Sequence, residues 1–296
     1  MTCRYGLFFI VLVVTLTSCT RVEPVLDIPV EIVEIEMYSR ADRDGLISLH
    51  SPIQYVEPLE ELKATITPGT TPSIDKIEVR FTNSSDYDII VSSWGYPQVE
   101  IDEYWTFVMP SWLNWTDWRL LAMIHPNSHG DVRHVDMYNY FGALPAGVYR
   151  LVYSVEPDIG HVEVTFVLEE ATYSRYQDQS GQSPLRMTLV TRPNTPQSNI
   201  FFVRFENRSN TDFTESHPLI LETRVNDGWV RVHQRYAIHD VLMHGPTTVP
   251  AVFANAPTYF VVDMRKYGNL ESGHYRFIYH GFFGHYSYVE FKLRYT

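Results

Sequence analysis

The chemically most distinctive stretch of this sequence is a cluster of tryptophans. Trp112, Trp115 and Trp118 recur at every third position. In a loop, three exposed indole rings would form a flat platform that can stack on sugar rings or anchor a protein partner. On a short helix the same spacing places the rings on one face, where they can close the open end of a β-sandwich or pack between domains. Packing is the simpler interpretation, and a binding surface is the alternative.

Histidines form a second group of candidate residues, because imidazole is a good ligand for zinc and copper. The chain has 12 His. Two clusters stand out in the sequence: His125, His129 and His134, and His233, His239 and His244. Metal ligands must converge, and spacings of a few residues outside a helix do not bring that about. The sequence therefore predicts no metal site and no cofactor, and a metal-handling protein remains an alternative.

Motifs typical of catalysis are nearly absent from the sequence. It contains no Gly-x-Ser-x-Gly, no His-Glu-x-x-His and no phosphate-binding Gly-rich loop ending in Lys-Ser/Thr. Ser73 and Lys76 fit Ser-x-x-Lys without its companion motifs, and residues 42–45 resemble a calcium loop whose glycine comes too early. Asp102 and Glu103 are adjacent and would point to opposite faces of a strand, so they are interpreted as a solvated turn. We expect no catalytic residues and no enzymatic activity.

The N-terminal segment has the pattern of a secretory signal. One basic residue, Arg4, precedes an apolar run that is short for a membrane span, which takes about 20 residues. Residues 16–19, Leu-Thr-Ser-Cys, resemble a bacterial lipobox. That resemblance implies a signal peptide at residues 1–18, a lipidated (palmitate-bearing) Cys19 and a tether at residues 19–29. An ordinary signal with an incidental cysteine is the alternative.

Cysteine content and charge narrow the classes of function. Cys3 and Cys19 are the only cysteines, so the chain after residue 19 has no thiol for a disulfide, a nucleophile or a zinc site. The net charge is −12, and removal of residues 1–18 makes it one unit more negative because Arg4 is lost. Such a charge argues against nucleic acid or anionic lipid as a partner.

Alternation of apolar and polar residues predicts β-strands through most of the chain. In the first half the predicted strands are residues 33–37, 77–81, 89–91, 99–101, 104–107, 132–137, 148–155 and 162–168. Short strands separated by frequent turn residues are typical of a β-sandwich.

The second half repeats landmarks of the first at a nearly constant offset. The matched pairs are Asn83 with Asn207, Ser85 with Ser209, Trp105 with Trp229, Gly142 with Gly268, and Gly147 with Gly273. A constant offset through several strands indicates a tandem duplication. The predicted division is one domain at residues 30–168, a polar, flexible linker at 169–184 and a second domain at 185–296.

The repeat is most distinct at a motif of the form Leu-x-x-Gly-x-Tyr-Arg. It occurs once with Leu144, Gly147 and Tyr149 and again with Leu270, Gly273 and Tyr275. We expect the tyrosine hydroxyl to bond back to the corner backbone while the ring enters the core, as in the tyrosine corner of β-sandwiches. The glycine is expected to supply a positive φ in the turn.

These elements together resemble the bacterial Ig-like domains of envelope lipoproteins. The resemblance rests on the Asn-x-Ser turn after a strand, the Gly228-Trp229 pair and the Leu-x-x-Gly-x-Tyr-Arg corner, and it covers nearly the whole chain after the tether. The first copy departs from the pattern, because Tyr104 stands where the second has Gly228. The family implies the fold and an extracytoplasmic setting, and it implies no reaction.

The sequence thus predicts an all-β protein of two tandem Ig-like β-sandwiches behind a lipoprotein signal peptide. We expect a non-catalytic protein held on a bacterial membrane, at the cell surface or in the periplasm, that binds an envelope protein or a glycan. Carbohydrate recognition through Trp112, Trp115 and Trp118 and metal handling are the alternatives.

Overall fold

The structure is a computed structural model, and it describes thirteen segments of the chain. These are residues 33–37, 46–48, 58–67, 75–92, 95–109, 121–156, 160–175, 184–190, 199–213, 219–238, 251–254, 256–280 and 286–295. Within these segments the chain is almost entirely β-strand, arranged in sheets that pack as sandwiches. The predicted all-β class is confirmed. No helix in these segments is long and apolar enough to cross a membrane.

Two strands come before the repeated parts of the chain, β1 (Val33–Met37) and β2 (Leu46–Ser48). The first unit follows and is defined here as the elements from β3 to β11. Its strands are β3 (Leu62–Ile66), β4 (Ile77–Asn83), β5 (Ile89–Ser92), β6 (Tyr96–Ile101), β7 (Tyr104–Phe107), β8 (Leu121–Ile124), β9 (His129–Val135), β10 (Gly147–Glu156) and β11 (Gly160–Leu168). A short helix, α1 (Met137–Phe141), lies between β9 and β10.

The sheets of the first unit enclose a hydrophobic core. One sheet has the order β3-β4-β9, and the other has the order β7-β6-β10-β5-β8, with β11 paired to β10. Phe81 of β4 and Tyr153 of β10 meet edge to face across the core, with ring centroids 4.9 Å apart. The apolar positions of the alternating strands face this core, as the period-two pattern predicts.

The second unit, β12 to β19, repeats this arrangement. Its strands are β12 (Leu185–Val190), β13 (Ile200–Asn207), β14 (Leu219–Val225), β15 (Gly228–Arg231), β16 (Tyr236–Ile238), β17 (Thr258–Asp263), β18 (Gly273–His280) and β19 (Tyr286–Tyr295). A 3₁₀ helix, Met264–Tyr267, takes the place of α1. The sheet β12-β13-β17 faces a sheet that contains β15, β14, β18 and β19. Phe205 and Tyr279 repeat the ring contact of the first unit, at 5.4 Å.

The N-terminal strand belongs to the sheet of the second unit. β1 pairs in parallel with β19, from Val33 opposite Phe291 to Met37 opposite Tyr295. β2 pairs with β16 of the same unit. The sequence analysis assigns residues 33–37 to the first domain, and the sheet pairing places them on the second unit. The division into two domains stays a prediction. Because β1 and β2 precede the first unit in the sequence but pair with strands of the second, the second unit is not one continuous stretch of the chain.

Both predicted tyrosine corners are present. The hydroxyl of Tyr149 donates to the carbonyl oxygen of Pro145 at 2.8 Å, and that of Tyr275 donates to Glu271 at 2.8 Å. Both rings are buried in the cores. The predicted hydrogen bond is therefore confirmed in each copy.

The corner glycines have a different role from the one predicted. Positive φ occurs at Gly142 (72°) and Gly268 (74°), which precede the corners, and not at Gly147 or Gly273. A Cβ on Gly273 would lie 3.3 Å from Cε2 of Tyr275, so this glycine leaves room for the corner ring. The prediction of positive φ at the corner glycine was wrong: the turn does not need it, and at Gly273 the close approach of the tyrosine ring favours a residue without a Cβ, whereas at Gly147 a Cβ would lie 3.6 Å from Cε2 of Tyr149, an ordinary contact.

The Asn-x-Ser turns also share one geometry. The amide and hydroxyl of Ser85 donate to Oδ1 of Asn83 at 2.9 and 2.7 Å. Ser209 makes the same two bonds to Asn207 at 2.9 and 2.7 Å. Each turn is thus closed by its own side chains, which explains why this tripeptide follows a strand in both copies.

Three strands in the first half of the chain, β2, β3 and β8, are absent from the predicted set. β3 is the clearest case: it falls in a polar, proline-bearing stretch, yet it pairs along its whole length with β4. Its sequence, Leu-Lys-Ala-Thr-Ile, does alternate, with Leu62 buried and Lys63 exposed. The period-two signal was present in five residues, which is too short a run to stand out beside prolines.

Candidate binding face

An arginine and a tryptophan from different strands stack on the outer face of the larger sheet in the first unit. The guanidinium carbon of Arg150 on β10 lies 4.4 Å from the ring centroid of Trp105 on β7. Its Nε donates to Oε1 of Gln98 on the intervening β6, at 2.7 Å. Arg150 follows the corner tyrosine Tyr149, and successive side chains of a strand point to opposite sides. The motif therefore places a tyrosine in the core and an arginine on the outer face of the sheet. We call Gln98, Trp105 and Arg150 the arginine–tryptophan face of the first unit.

The second unit has the equivalent face, formed by Glu222, Trp229 and Arg276. The Arg276 guanidinium carbon lies 4.5 Å from the Trp229 ring centroid. Its Nε donates to Oε2 of Glu222 at 2.7 Å, and its Nη2 lies 2.7 Å from the same oxygen. The duplication has therefore kept this constellation, with one change: a neutral Gln98 in the first copy is an acidic Glu222 in the second.

The two faces differ in their contact with the rest of the chain. In the second unit the face is covered, and the Arg276 side chain is 0% exposed. Arg231, beside Trp229 on β15, donates a hydrogen bond to the carbonyl oxygen of Phe141 in the first unit. A small cavity at this contact is lined by α1 and the following turn on one side and by Ile220, Glu222 and Arg231 on the other. The end of the first unit that carries the tyrosine corner thus packs on the outer face of the second.

Residues 172–175, here called the connecting segment, join both units. The amide of Thr172 donates to the carbonyl oxygen of Leu144 at 2.9 Å, and that of Ser174 donates to the carbonyl oxygen of Trp229 at 2.8 Å. The amide of Arg175 donates to the Tyr138 hydroxyl at 2.6 Å. The linker was predicted to be flexible, and for this part of it the prediction was wrong, because its backbone amides are bonded to both units.

The connecting segment also explains the Gly228–Tyr104 difference between the copies. A Cβ on Gly228 would lie 2.1 Å from Cδ1 of Tyr173, far inside contact distance. Glycine at this position therefore lets the Tyr173 ring lie against β15. In the first unit the equivalent residue is Tyr104, which is 55% exposed.

Gly228→Ala is expected to destabilise the protein by about 1–3 kcal/mol, because the added methyl group forces the Tyr173 ring away from β15. Equilibrium unfolding in urea measures the loss. In a Tyr173→Ala background the ring is gone, so the same change at Gly228 is expected to cost much less. Equal losses in the two backgrounds would show that Tyr173 is not the reason for the glycine.

The tyrosine corner of the first unit takes part in the junction. The Tyr149 hydroxyl lies 3.1 Å from Nε2 of His233 and already donates its proton to Pro145. The hydroxyl oxygen must therefore accept from Nε2–H, which assigns the neutral Nε2-protonated tautomer to His233. Burial, followed by the nearby charges of Arg231 and Arg235, lowers the pKa of His233 to about 3. This histidine is thus an uncharged structural donor.

The arginine–tryptophan face of the first unit is less deeply covered. Trp105 and Phe107, which alternate with the exposed Tyr104 along β7, are half-buried, and the Arg150 side chain is 11% exposed. Arg150 is neutralised by Glu163 of β11, at 2.7 Å between Nη1 and Oε2. In the first unit this surface therefore consists of aromatic side chains and an arginine whose charge is neutralised by Glu163. The equivalent surface of the second unit is covered by the first unit.

The tryptophans of the predicted platform, Trp112, Trp115 and Trp118, lie outside the described residues. The strands that flank them are β7 and β8, which are the two opposite ends of the strand order β7-β6-β10-β5-β8. Both flanking strands expose large apolar side chains, Tyr104 on β7 and Leu121 on β8. The predicted signal peptide, Cys19 and the tether also lie outside the described residues.

The candidate metal and catalytic residues are dispersed. His125 lies 2.9 Å from Asp88, and His134 lies 3.6 Å from Glu78, both at exposed positions. No three His, Cys, Asp or Glu side chains of the described segments are placed to hold a metal ion. His239 and His244 lie outside those segments, as do Ser73 and residues 42–45, and the side chain of His129 is not described.

Asp102 and Glu103 form a turn, as predicted. Both have positive φ, 51° and 69°, at the tip of the β6–β7 hairpin. Asp102 is largely exposed and pairs with Arg235 of the second unit. Sequence reasoning did not anticipate this role, which adds an ion pair to the contact between the units.

Comparison with known proteins leaves the chain without a family assignment. No family model matches it, and no curated protein matches it. Among solved structures it is similar to red sea bream transglutaminase, with 7% identity, 80% of this chain and 32% of that chain covered, and a TM-score of 0.21. It is also similar to the YadV chaperone, with 10% identity, 79% of this chain and all of that chain covered, and a TM-score of 0.20. Likenesses this weak give no guidance on function.

Proposed function

We propose that this protein is a non-catalytic lipoprotein of a bacterial envelope whose first Ig-like unit binds an envelope protein or a glycan. The lipid anchor is Cys19, and the second unit positions the first. The proposal rests on the lipobox-like sequence, on the duplicated sandwich and on one observation at the arginine–tryptophan faces.

That observation is the unequal use of one duplicated face. In the second unit the face is filled by the first unit and the connecting segment, and in the first unit Trp105 stays half-buried over Arg150, with the exposed Tyr104 preceding it on β7. Exposed aromatic rings and arginine are the residue types that carry most of the binding energy at protein interfaces. Aromatic rings also stack on the apolar faces of sugars. The open face, continued along the chain by Trp112, Trp115 and Trp118, is the surface we assign to the ligand.

A cluster variant tests this surface. Tyr104→Ala combined with Trp112→Ala, Trp115→Ala and Trp118→Ala is expected to lower binding at least tenfold, since removal of one central aromatic residue alone often costs more than 1 kcal/mol. In-cell cross-linking with mass spectrometry measures capture of an envelope protein, and quenching of intrinsic fluorescence by soluble glycans measures sugar binding. Tyr87→Ala, which removes a tyrosine of similar exposure elsewhere in the first unit, is the matched control.

The outcomes separate the two ligand classes. Loss of a protein cross-link in the cluster variant assigns a protein partner, and loss of quenching assigns a glycan. If the cluster variant, shown to be folded by circular dichroism, binds as well as the Tyr87→Ala control, the surface is not the binding site.

Cys19→Ala tests the anchor. It is expected to abolish incorporation of labelled palmitate and to release the protein from the membrane fraction, because a thioether- or acyl-linked lipid requires the thiol. Retention of label in the variant would contradict the lipoprotein assignment.

A further inference from the structure

The outer face of the smaller sheet in the second unit carries exposed apolar side chains. Ile200 on β13 is 39% exposed, and Tyr259 and Val261 on β17 are 53% and 48% exposed. Phe202 lies beside Val261 in the register of the two strands. These four residues form a continuous patch across two neighbouring strands, here called the β17 patch.

The fold does not require this patch, because the first unit has charges in the same places. Lys76 and Glu78 on the β4 side, and His134 on β9, occupy the positions of Ile200, Phe202 and Val261. Lys76 pairs with Glu78, and His134 lies 3.6 Å from the same carboxylate. One copy of the domain thus has an ion-pair cluster in contact with water where the other has an apolar surface.

The strand that carries the patch is also an edge strand without the usual protection. Among the described strands, β17 pairs with β13 on one side and with no strand on the other. Its sequence, Thr-Tyr-Phe-Val-Val-Asp, has no lysine or proline, and its one charge, Asp263, is held by Arg265 at 2.6 Å. β9 of the first unit has Asp131, Arg133 and a register shift opposite it, which are common devices against edge pairing.

We propose that β17 is a self-association surface, on which the β17 of a second copy pairs antiparallel about a two-fold axis. The two three-stranded sheets then form one sheet of six strands, with the two β17 patches side by side. A second copy fits because a two-fold contact places the same strand and the same patch on both sides, so each apolar side chain meets another apolar side chain. Exposed apolar edges of this kind are templates for strand addition.

Charge and area set the strength of the contact. Two molecules of net charge −12 repel each other, and the charges beside the patch are neutralised within each copy, Arg204 by Glu206 at 2.7 Å and Asp263 by Arg265 at 2.6 Å. The exposed parts of the patch amount to about 300 Å² per copy, the size of functional patches on monomers. Two such patches give about 600 Å², which is below the roughly 1,000 Å² of stable specific interfaces, so the dimer is weak and reversible and depends on the added strand pairing.

Sedimentation equilibrium of the purified full chain over a wide range of concentration tests the proposal. The wild type is expected to shift reversibly from monomer to dimer as concentration rises. Val261→Lys introduces at the edge the charge that natural edge strands use, and it is expected to raise the dissociation constant at least tenfold. Val167→Lys makes the same change at a strand valine of 53% exposure on β11 of the first unit and is expected to associate like the wild type.

The sedimentation results can contradict the proposed dimer in two ways. A wild type that stays monomeric at the highest concentration overturns the proposal, whether or not some other molecule occupies the patch. Dimerisation weakened equally by Val167→Lys and Val261→Lys also overturns it, because the effect would then be one of general charge. Since the changed residue lies on the solvent side of β17, circular dichroism is expected to show the same fold for all three proteins.

Discussion

Glu222→Ala is expected to lower the free energy of unfolding by about 3–5 kcal/mol, the range for removal of one partner from a buried ion pair. Arg276 has no exposed surface, and its Nε and Nη2 both lie 2.7 Å from one carboxylate oxygen of Glu222. Without that carboxylate a buried guanidinium loses its closest counter-charge, and the contact with the first unit keeps water from replacing it. Equilibrium unfolding in urea, followed by tryptophan fluorescence, measures the loss.

The duplication supplies the control for this experiment. Gln98→Ala removes the equivalent partner of Arg150, which keeps its ion pair with Glu163 and is closer to solvent. Loss of one hydrogen bond to a charged group costs about 1.5–3 kcal/mol. Glu222→Gln, which copies the first unit, is expected to fall between the two alanine variants because it keeps the acceptor and loses the charge. Equal losses for Glu222→Ala and Gln98→Ala would mean that burial by the first unit does not strengthen the pair.

His233 is expected to make the protein acid-sensitive. Its pKa is lowered to about 3 in the folded protein, whereas an unfolded histidine titrates near 6.5. Between these values the unfolded chain binds a proton that the folded chain does not, so stability falls as pH falls from 6.5 towards 3 and is unaffected by this group above 6.5. Between pH 7 and pH 5 the loss from this one residue is about 2 kcal/mol.

His233→Gln tests this expectation, since its side-chain amide can still donate to Tyr149 but does not titrate. The difference in unfolding free energy between pH 7 and pH 5 is expected to be about 2 kcal/mol smaller in this variant than in the wild type. An unchanged pH dependence in His233→Gln would show that folding does not lower the pKa of this histidine.

The junction gives the proposed function a structural basis. The hydrogen bonds of the connecting segment, the Tyr149–His233 contact and the Asp102–Arg235 ion pair all join the same end of the first unit to the second. Buried polar contacts such as Tyr149–His233 fix the orientation of the two units, because a rotation would leave these groups without a hydrogen-bond partner. The second unit therefore holds the open face of the first in a defined direction.

Gene duplication explains why one face can serve two purposes. The arginine, the tryptophan and the intervening polar residue recur in each copy, so the face existed before the copies diverged. In the second copy Gly228 admits Tyr173 and the Arg276 side chain is 0% exposed, and in the first copy Tyr104 occupies the position of Gly228 and the Arg150 side chain is 11% exposed. The second copy uses this face within the chain, and the first copy's face is the one to which we assign the ligand.

Local pattern was enough to predict much of the fold. Most of the predicted strands appear where the alternation places them, β1 and β7 with the predicted bounds, because a half-buried strand must alternate. The corner hydrogen bonds of Tyr149 and Tyr275 and the Asn-x-Ser turns also followed, since their partners lie within four residues along the chain. Because the two copies are related by a nearly constant offset, each feature recognised in one half predicted the equivalent feature in the other.

Tertiary structure decided everything that depends on partners far apart in the sequence. Nothing in Val33–Met37 distinguishes a strand that pairs with its own domain from one that pairs with β19 at the other end of the chain, because alternation encodes a buried face and not a neighbour. Gly147 and Gly273 looked like turn residues and serve the tyrosine rings, since only the folded corner brings those rings against them. Likewise, Arg150 and Arg276 stand in the same motif, and the packing of another unit leaves the first side chain 11% exposed and the second fully buried.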